Sequence, residues 1–90
     1  MALVRLRGPL KGLAGGDGEH ALEGATIAAL LRELESSQPA LDGWILDERG
    51  RIRRHVNVFV GDESIAFLDG LDTRVDEGAT ITIVPAVSGG

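Results

Sequence analysis

Apolar residues with a helical spacing occur in one segment near the middle of the chain. The large apolar residues of this segment lie three or four positions apart: Ile27, Leu30, Leu31 and Leu34. A helix places residues with that spacing on a single face. Thr26 is a favourable N-cap and Pro39 follows the segment, so the pattern predicts a helix over Thr26–Ser36.

Alternating apolar and polar residues predict strands on both sides of this helix. The clearest are residues 55–60, HVNVFV, and residues 80–84, TITIV. Residues 3–7 and 19–23 alternate more weakly and predict a hairpin around a glycine-rich turn at residues 12–18. A hairpin, one amphipathic helix and further strands together predict an α+β fold.

One helix covers only one face of such a sheet, so the other face is open. The alternation places the apolar side chains of Phe59 and Val84 on that open face. Two apolar residues there indicate a partner surface, although single exposed apolar residues are also ordinary on proteins. A short apolar patch at residues 44–46 is expected to cover one edge of the core.

Composition narrows the possible classes of protein. Ninety residues with 43% apolar content make one domain. The chain has no cysteine, which excludes disulfides, thiolate metal sites and cysteine nucleophiles and fits a reducing cytoplasm. A net charge of −5 argues against nucleic acid as a partner, and no apolar run approaches the roughly 20 residues of a membrane span. We expect a cytoplasmic protein that is monomeric when free.

The polar residues form no recognisable catalytic or metal-binding set. His20 and His55 lack the clustered partners that a metal ion needs. The glycine-rich turn lacks the lysine of a phosphate-binding loop. The arginines of residues 49–54 predict a basic, solvated loop, with an acidic partner as the alternative interpretation.

The last six residues, PAVSGG, follow the final strand directly. Gly89 and Gly90 lack a Cβ, so this backbone can enter a narrow channel, with Val87 and Ser88 as an extended lead. A C-terminal carboxylate is unreactive toward nucleophiles until it is activated, for example as an acyl-adenylate. The tail is therefore a candidate functional group, although a terminal Gly-Gly by itself is also compatible with an inert end.

Several segments together resemble the ThiS/MoaD family of ubiquitin-like sulfur carriers. They are HVNVFVGDE, GATITIVPAVSGG, the helical segment GATIAALLRELE and the turn AGGDGE. The resemblance implies a β-grasp fold, with a mixed sheet of four or five strands, one main helix, and the first and last strands as parallel neighbours at the centre. It implies a β-grasp domain over residues 1–86 and a flexible, extended tail over residues 87–90.

The same resemblance implies a function for the tail. An E1-like enzyme of the MoeB/ThiF type would use ATP to adenylate Gly90, and sulfur would then replace one oxygen to give a thiocarboxylate. The carrier itself is then a protein co-substrate and not an enzyme, and it binds no cofactor or metal ion. Phe59 and Val84 become the expected surface for the activating enzyme.

The destination of the sulfur is less well determined by the sequence. Pro85-Ala86 replaces the second proline that is usual in molybdopterin-synthase small subunits, and thiamin-pathway carriers usually lack an insertion such as residues 47–55. Both departures favour the cysteine-biosynthesis carriers of the CysO type, with a cysteine-synthase-like enzyme as sulfur acceptor. A molybdopterin or thiamin carrier, a ubiquitin-like protein modifier and an inert β-grasp interaction module remain as alternatives.

Overall fold

A five-stranded sheet with one main helix forms the frame of the protein. The structure is a computed structural model that describes residues 1–85. The elements in chain order are β1 (Ala2–Leu6), α1 (Pro9–Leu13), β2 (Glu19–Leu22), α2 (Ile27–Ser37), β3 (Val56–Val60), β4 (Glu63–Ser64) and β5 (Thr80–Pro85). The described residues also contain three short 3-10 helices: Pro39–Leu41, Ile65–Phe67 and Gly70–Asp72.

The sheet is mixed, with the strand order β2-β1-β5-β3-β4. β1 and β5 are parallel, whereas the β1–β2, β3–β5 and β3–β4 pairs are antiparallel. β5 is therefore the central strand, with β1 and β3 on its two sides. This confirms the expected α+β class and the parallel pairing of the first and last strands.

The core lies between α2 and one face of the sheet. The four predicted helix residues, Ile27, Leu30, Leu31 and Leu34, are all buried. They face the alternate residues of the three central strands, among them Val4, Val58, Ile81 and Ile83. The side chain of Thr26 accepts a hydrogen bond from the Ala29 N–H at 3.2 Å, so the predicted N-cap is confirmed.

The apolar patch at residues 44–46 also behaves as predicted. Ile45 and Leu46 are buried in the core, whereas Trp44 stays about half exposed.

The predicted turn at residues 12–18 is wrong in its first part, because α1 extends to Leu13. Pro9 lies in the first turn of this helix, where its missing N–H is not needed. Leu10 is buried against the core and gives the short helix a packing contact. Gly15 and Gly16 then reverse the chain with φ angles of 74° and 87°, a conformation that favours glycine.

Candidate functional site at the base of the tail

The central strand β5 leads directly to the C-terminal tail, and its end is fixed on both sides. Pro85, the last described residue, is paired with Val56 of β3. On the other side, the Arg7 N–H donates a hydrogen bond to the Ile83 carbonyl at 3.1 Å. Gly8 has a φ angle of 59°, and a Cβ there would lie 3.2 Å from Pro85 Cγ. The point from which the tail departs is therefore held by close packing.

The tail residues predicted to carry the function, Val87, Ser88, Gly89 and Gly90, lie outside the described residues. Their roles, their expected extended and mobile conformation, and the boundary between the domain (1–86) and the tail (87–90) stay predictions.

The two residues of the predicted partner surface lie close together on the face of the sheet opposite α2. Val84 pairs with Asn57, and the next non-adjacent pair along the ladder joins Thr82 to Phe59. Phe59 and Val84 are therefore diagonal neighbours on adjacent strands. Such neighbours lie about 7–8 Å apart, and their Cβ atoms are somewhat closer. Both are half-buried. The structure thus brings these two apolar side chains into one patch, and the role of the patch stays a prediction.

Leu3 also lies on this open face and was not predicted from the sequence, but its neighbour in β5 is neither Val84 nor the partner of Phe59. It alternates with the buried Ala2 and Val4, so it lies on the opposite face, and it is half-buried. Its neighbour in β5 is Thr80. The signal was available: once Val4 and Leu6 are assigned to the core, the alternation of β1 places Leu3 and Arg5 on the open face.

The basic loop of residues 49–54 is more ordered than the expected solvated loop. Asp47 Oδ1 accepts hydrogen bonds from the N–H groups of Arg49 and Arg51, at 2.8 and 3.0 Å. These contacts, with the Arg51 bond first and the charge of Arg53 adding to them, hold the pKa of Asp47 below its ordinary value. A bridge between Leu46 and Ile52 closes the turn. An acidic side chain thus organises a turn rich in arginine.

A second basic group lies on the opposite side of β5. Arg5, Arg7 and Lys11 line a pocket of about 550 Å³ next to the turn that follows α1. Arg5 Nε donates to Glu19 Oε2 at 3.1 Å. The aliphatic part of Lys11 lies over Gly18, where a Cβ would be 3.3 Å from Lys11 Cδ.

Residues 1–85 hold no group of three or more His, Cys, Asp or Glu side chains that could bind a metal ion. In the same residues, no helix combines the length and the apolar character that crossing a membrane requires.

Comparison with known proteins gives a consistent result. The model of the ThiS family matches residues 4–90. The sulfur carrier protein CysO of Mycobacterium tuberculosis is 35% identical over 78 residues, which are 84% of each chain. Small archaeal modifier protein 3 of Haloferax volcanii is 35% identical over 66 residues, 73% of this chain and 71% of the relative.

A solved structure extends the similarity to the whole fold. A chain of the Amycolatopsis orientalis BexX/CysO complex superposes with a TM-score of 0.91 and 32% identity, covering 100% of both chains. The five-stranded sheet, the single main helix and the family match over residues 4–90 agree with one another. The chain therefore belongs to the ThiS family and is a ubiquitin-like β-grasp sulfur carrier of the ThiS/CysO type.

Proposed function

We propose that this chain carries sulfur as a thiocarboxylate on Gly90. A carboxylate oxygen of Gly90 attacks the α-phosphorus of ATP, an acyl-phosphate bond forms, and pyrophosphate leaves. A sulfur nucleophile then attacks the acyl carbon and AMP leaves. When that nucleophile is the outer sulfur of a donor persulfide, a thiol then attacks the donor's inner sulfur; the S–S bond to the carrier breaks, the donor becomes a disulfide, and the thiocarboxylate leaves. An E1-like enzyme of the MoeB/ThiF type provides the ATP site, and the carrier acts as its protein co-substrate.

One observation carries this proposal: the family match continues through residue 90 and so includes both terminal glycines. The fold supports it, because β1 pairs with β5 up to Ile83 and β3 pairs with it up to Pro85, so β5 presents a fixed base for the tail. A rigid base limits the positions that the reactive carboxylate can take, which lowers the entropic cost of reaching the ATP phosphate.

The similarity to the CysO carriers supports cysteine biosynthesis as the destination of the sulfur. On this proposal a cysteine-synthase-like enzyme accepts the sulfur from Gly90. The open-face patch of Phe59 and Val84 docks the adenylating enzyme, and the free carrier is a monomer. The proposed location is the cytoplasm, where ATP is available.

Deleting Gly90 tests the proposal directly. The variant's carboxylate is one residue, about 3.3–3.6 Å, short of the phosphorus. Since a misplacement of about 1 Å can cost about 10²-fold in rate, we expect adenylation to fall at least that far. The Gly89→Val variant should also be adenylated poorly, because the Cβ of valine would clash with the wall of a narrow channel. The measurement is pyrophosphate exchange with the organism's own MoeB/ThiF-type enzyme, followed by intact mass for exchange of oxygen by sulfur.

Thermal melting of the same variants is the control, since both changes lie outside residues 1–85, in which the described core is found. A variant without Gly90 that melts normally and is adenylated as fast as the full chain would contradict the proposal. That result would favour an inert interaction module.

The similarity to small archaeal modifier protein 3 favours one second candidate, a protein modifier. A modifier uses the same adenylate, but a lysine amine of a target attacks the acyl carbon and an isopeptide bond forms. Immunoblots of cell extract for higher-mass species that require Gly90 distinguish the two functions. Such species would show conjugation, whereas a thiocarboxylate on the isolated chain supports the carrier.

A further inference from the structure

The basic residues of this acidic protein are not evenly distributed. Seven of its nine lysines and arginines lie in two short segments, residues 5–11 and 49–54, while the whole chain has a net charge of −5. Residues 5–19 and 47–54 together have a net charge of +3, and the rest of the chain has a net charge of −8. The molecule is therefore strongly polarised.

The fold brings these two segments to the same end of the sheet. β1 ends beside the end of β5, because Leu6 pairs with Ile83 and the Arg7 N–H bonds to its carbonyl. β3 begins there, because Val56 pairs with Pro85 and is preceded by residues 53–55. One basic segment thus lies on each side of the strand that leads to the tail. We call this group the basic collar; its members are Arg5, Arg7, Lys11, Arg53 and Arg54.

The opposite end of the same strands is acidic. Residues 76–77 precede β5, and residues 62–63 follow β3, and all four are Asp or Glu. The charge separation therefore runs along β5, with the positive end where the tail begins.

Part of the collar is already used within the molecule. Arg5 is paired with Glu19, and Arg53 Nε donates to the Gly43 carbonyl. Arg7, Lys11 and Arg54 are exposed, and within residues 1–85 none of the three forms an ion pair. These three cations are available to a partner that approaches the tail.

We infer that the basic collar docks on an acidic rim around the channel into which a partner enzyme receives the tail. The inference rests on the proposed function, since a partner that reaches Gly90 must come close to Pro85. Complementary charge around such an entrance steers the approach and fixes orientation. A polyanion such as nucleic acid fits poorly, because the −8 carried by the rest of the chain repels it. The collar differs from the apolar open-face patch in its charge, and Arg5 adjoins that patch, because it lies beside Thr82, the β5 residue that pairs with Phe59.

Charge reversal with a matched control tests the collar. The test variant is Arg7→Glu with Arg54→Glu, one change on each side of β5. The control is Arg32→Glu with Arg74→Glu, which alters net charge equally at exposed positions outside the two basic segments. Pyrophosphate exchange with the organism's MoeB/ThiF-type enzyme gives kcat and KM at several salt concentrations.

We expect kcat/KM of the collar variant to fall at least about tenfold at low salt, with kcat little changed. The control should stay near the wild-type value. The difference should shrink as salt rises, because the Debye length is about 10 Å at 0.1 M and about 3 Å at 1 M.

The possible results distinguish a failure of the collar from a failure of the carrier function. Equal kcat/KM for the collar and control variants, with active wild type, overturns the collar and leaves the carrier function intact. No exchange with wild type overturns the carrier function, and the inference with it. If the collar variant melts lower than wild type, Arg7→Gln with Arg54→Gln replaces it, and an unchanged salt dependence in that variant overturns the collar.

Discussion

Gly24 is a residue whose missing side chain allows the connection between β2 and α2. A Cβ at this position would lie 2.8 Å from the Leu30 backbone nitrogen and 3.0 Å from Leu30 Cγ. Real Cβ contacts are not that short, and a helix backbone cannot move aside cheaply. The position therefore needs glycine because of the space available. Backbone conformation is not the reason, because the φ of Gly24 lies outside the left-handed region.

Gly24→Ala should destabilise the protein by about 1–3 kcal/mol, the usual cost of forcing extra atoms into a packed site. Gly12→Ala is the matched control, because no atom beyond its chain neighbours and its own helix backbone lies within 4 Å of a Cβ there, and φ is not positive. That change should stabilise by about 0.4–1 kcal/mol, through lower entropy of the unfolded chain. Urea denaturation of both variants measures the difference, and equal values would show that Gly24 has room for a methyl group.

At the scale of elements, helix α2 has one position that works against folding. Glu35 is half-buried, and its Oε2 has no hydrogen-bond partner among the described residues. Burial, and secondarily the negative charge of Asp42, raise the pKa of Glu35 above its ordinary value. A carboxylate whose folded pKa is raised costs stability while it is ionised. This cost is fully present above the folded pKa and disappears as pH falls below the unfolded value of about 4.3.

Glu35→Gln should therefore raise Tm at pH 7, and its advantage over wild type should shrink as pH is lowered toward 4. Glu33→Gln is the control, because it makes the same change at an exposed position of the same helix. Thermal melting across this pH range checks the prediction. An equal effect of both substitutions would show that only net charge matters.

Elements with a strong apolar repeat could be predicted from the sequence almost to the residue. Thr26–Ser36 became Ile27–Ser37 with Thr26 as N-cap, and residues 80–84 became Thr80–Pro85. The alternation also placed Phe59 and Val84 on the correct face. These elements can be predicted because each turns one face to the core, so its apolar residues recur with the period of a helix or a strand.

The elements that were missed depend on contacts between distant parts of the chain. α1 has only five residues and contains Gly12, so no local repeat indicates it, and its packing comes from the buried Leu10. The order of the basic turn depends on which backbone N–H groups Asp47 reaches. The collar is also non-local. Residues 5–11 and 53–54 lie at the same end of the sheet only because β1 and β3 both pair with β5.

At the scale of the whole molecule, the two surfaces proposed for partner contact differ in character: one is an apolar patch and the other is a basic end. The patch around Phe59 lies on the open face, and the collar residues lie on the two sides of the end of β5. A partner that uses both would bind in one orientation, because apolar packing and charge complementarity must be satisfied at once.

Phe59→Ala should weaken adenylation, since aromatic anchors at the centre of an interface can contribute 2 kcal/mol or more. That corresponds to roughly a thirtyfold loss in kcat/KM. Phe67→Ala is the control: it removes the same side chain at a site that is 86% exposed and lies outside the strands. Melting and adenylation are measured on both variants. A large drop in Tm for Phe59→Ala would place that ring in the core and remove it from the partner surface.

The parallel pairing of β1 and β5 has a mechanical consequence. β1 begins at Ala2 at one end of the sheet, and β5 finishes at Pro85 at the other. A pull that separates these two residues slides the strands along each other, so it loads the hydrogen bonds of the ladder together and not one after another. Because β3 pairs with the other edge of β5, a force applied through the tail acts on a strand that two ladders hold. We therefore expect the strand that leads to the tail to resist such a pull better than an edge strand, which a single ladder holds.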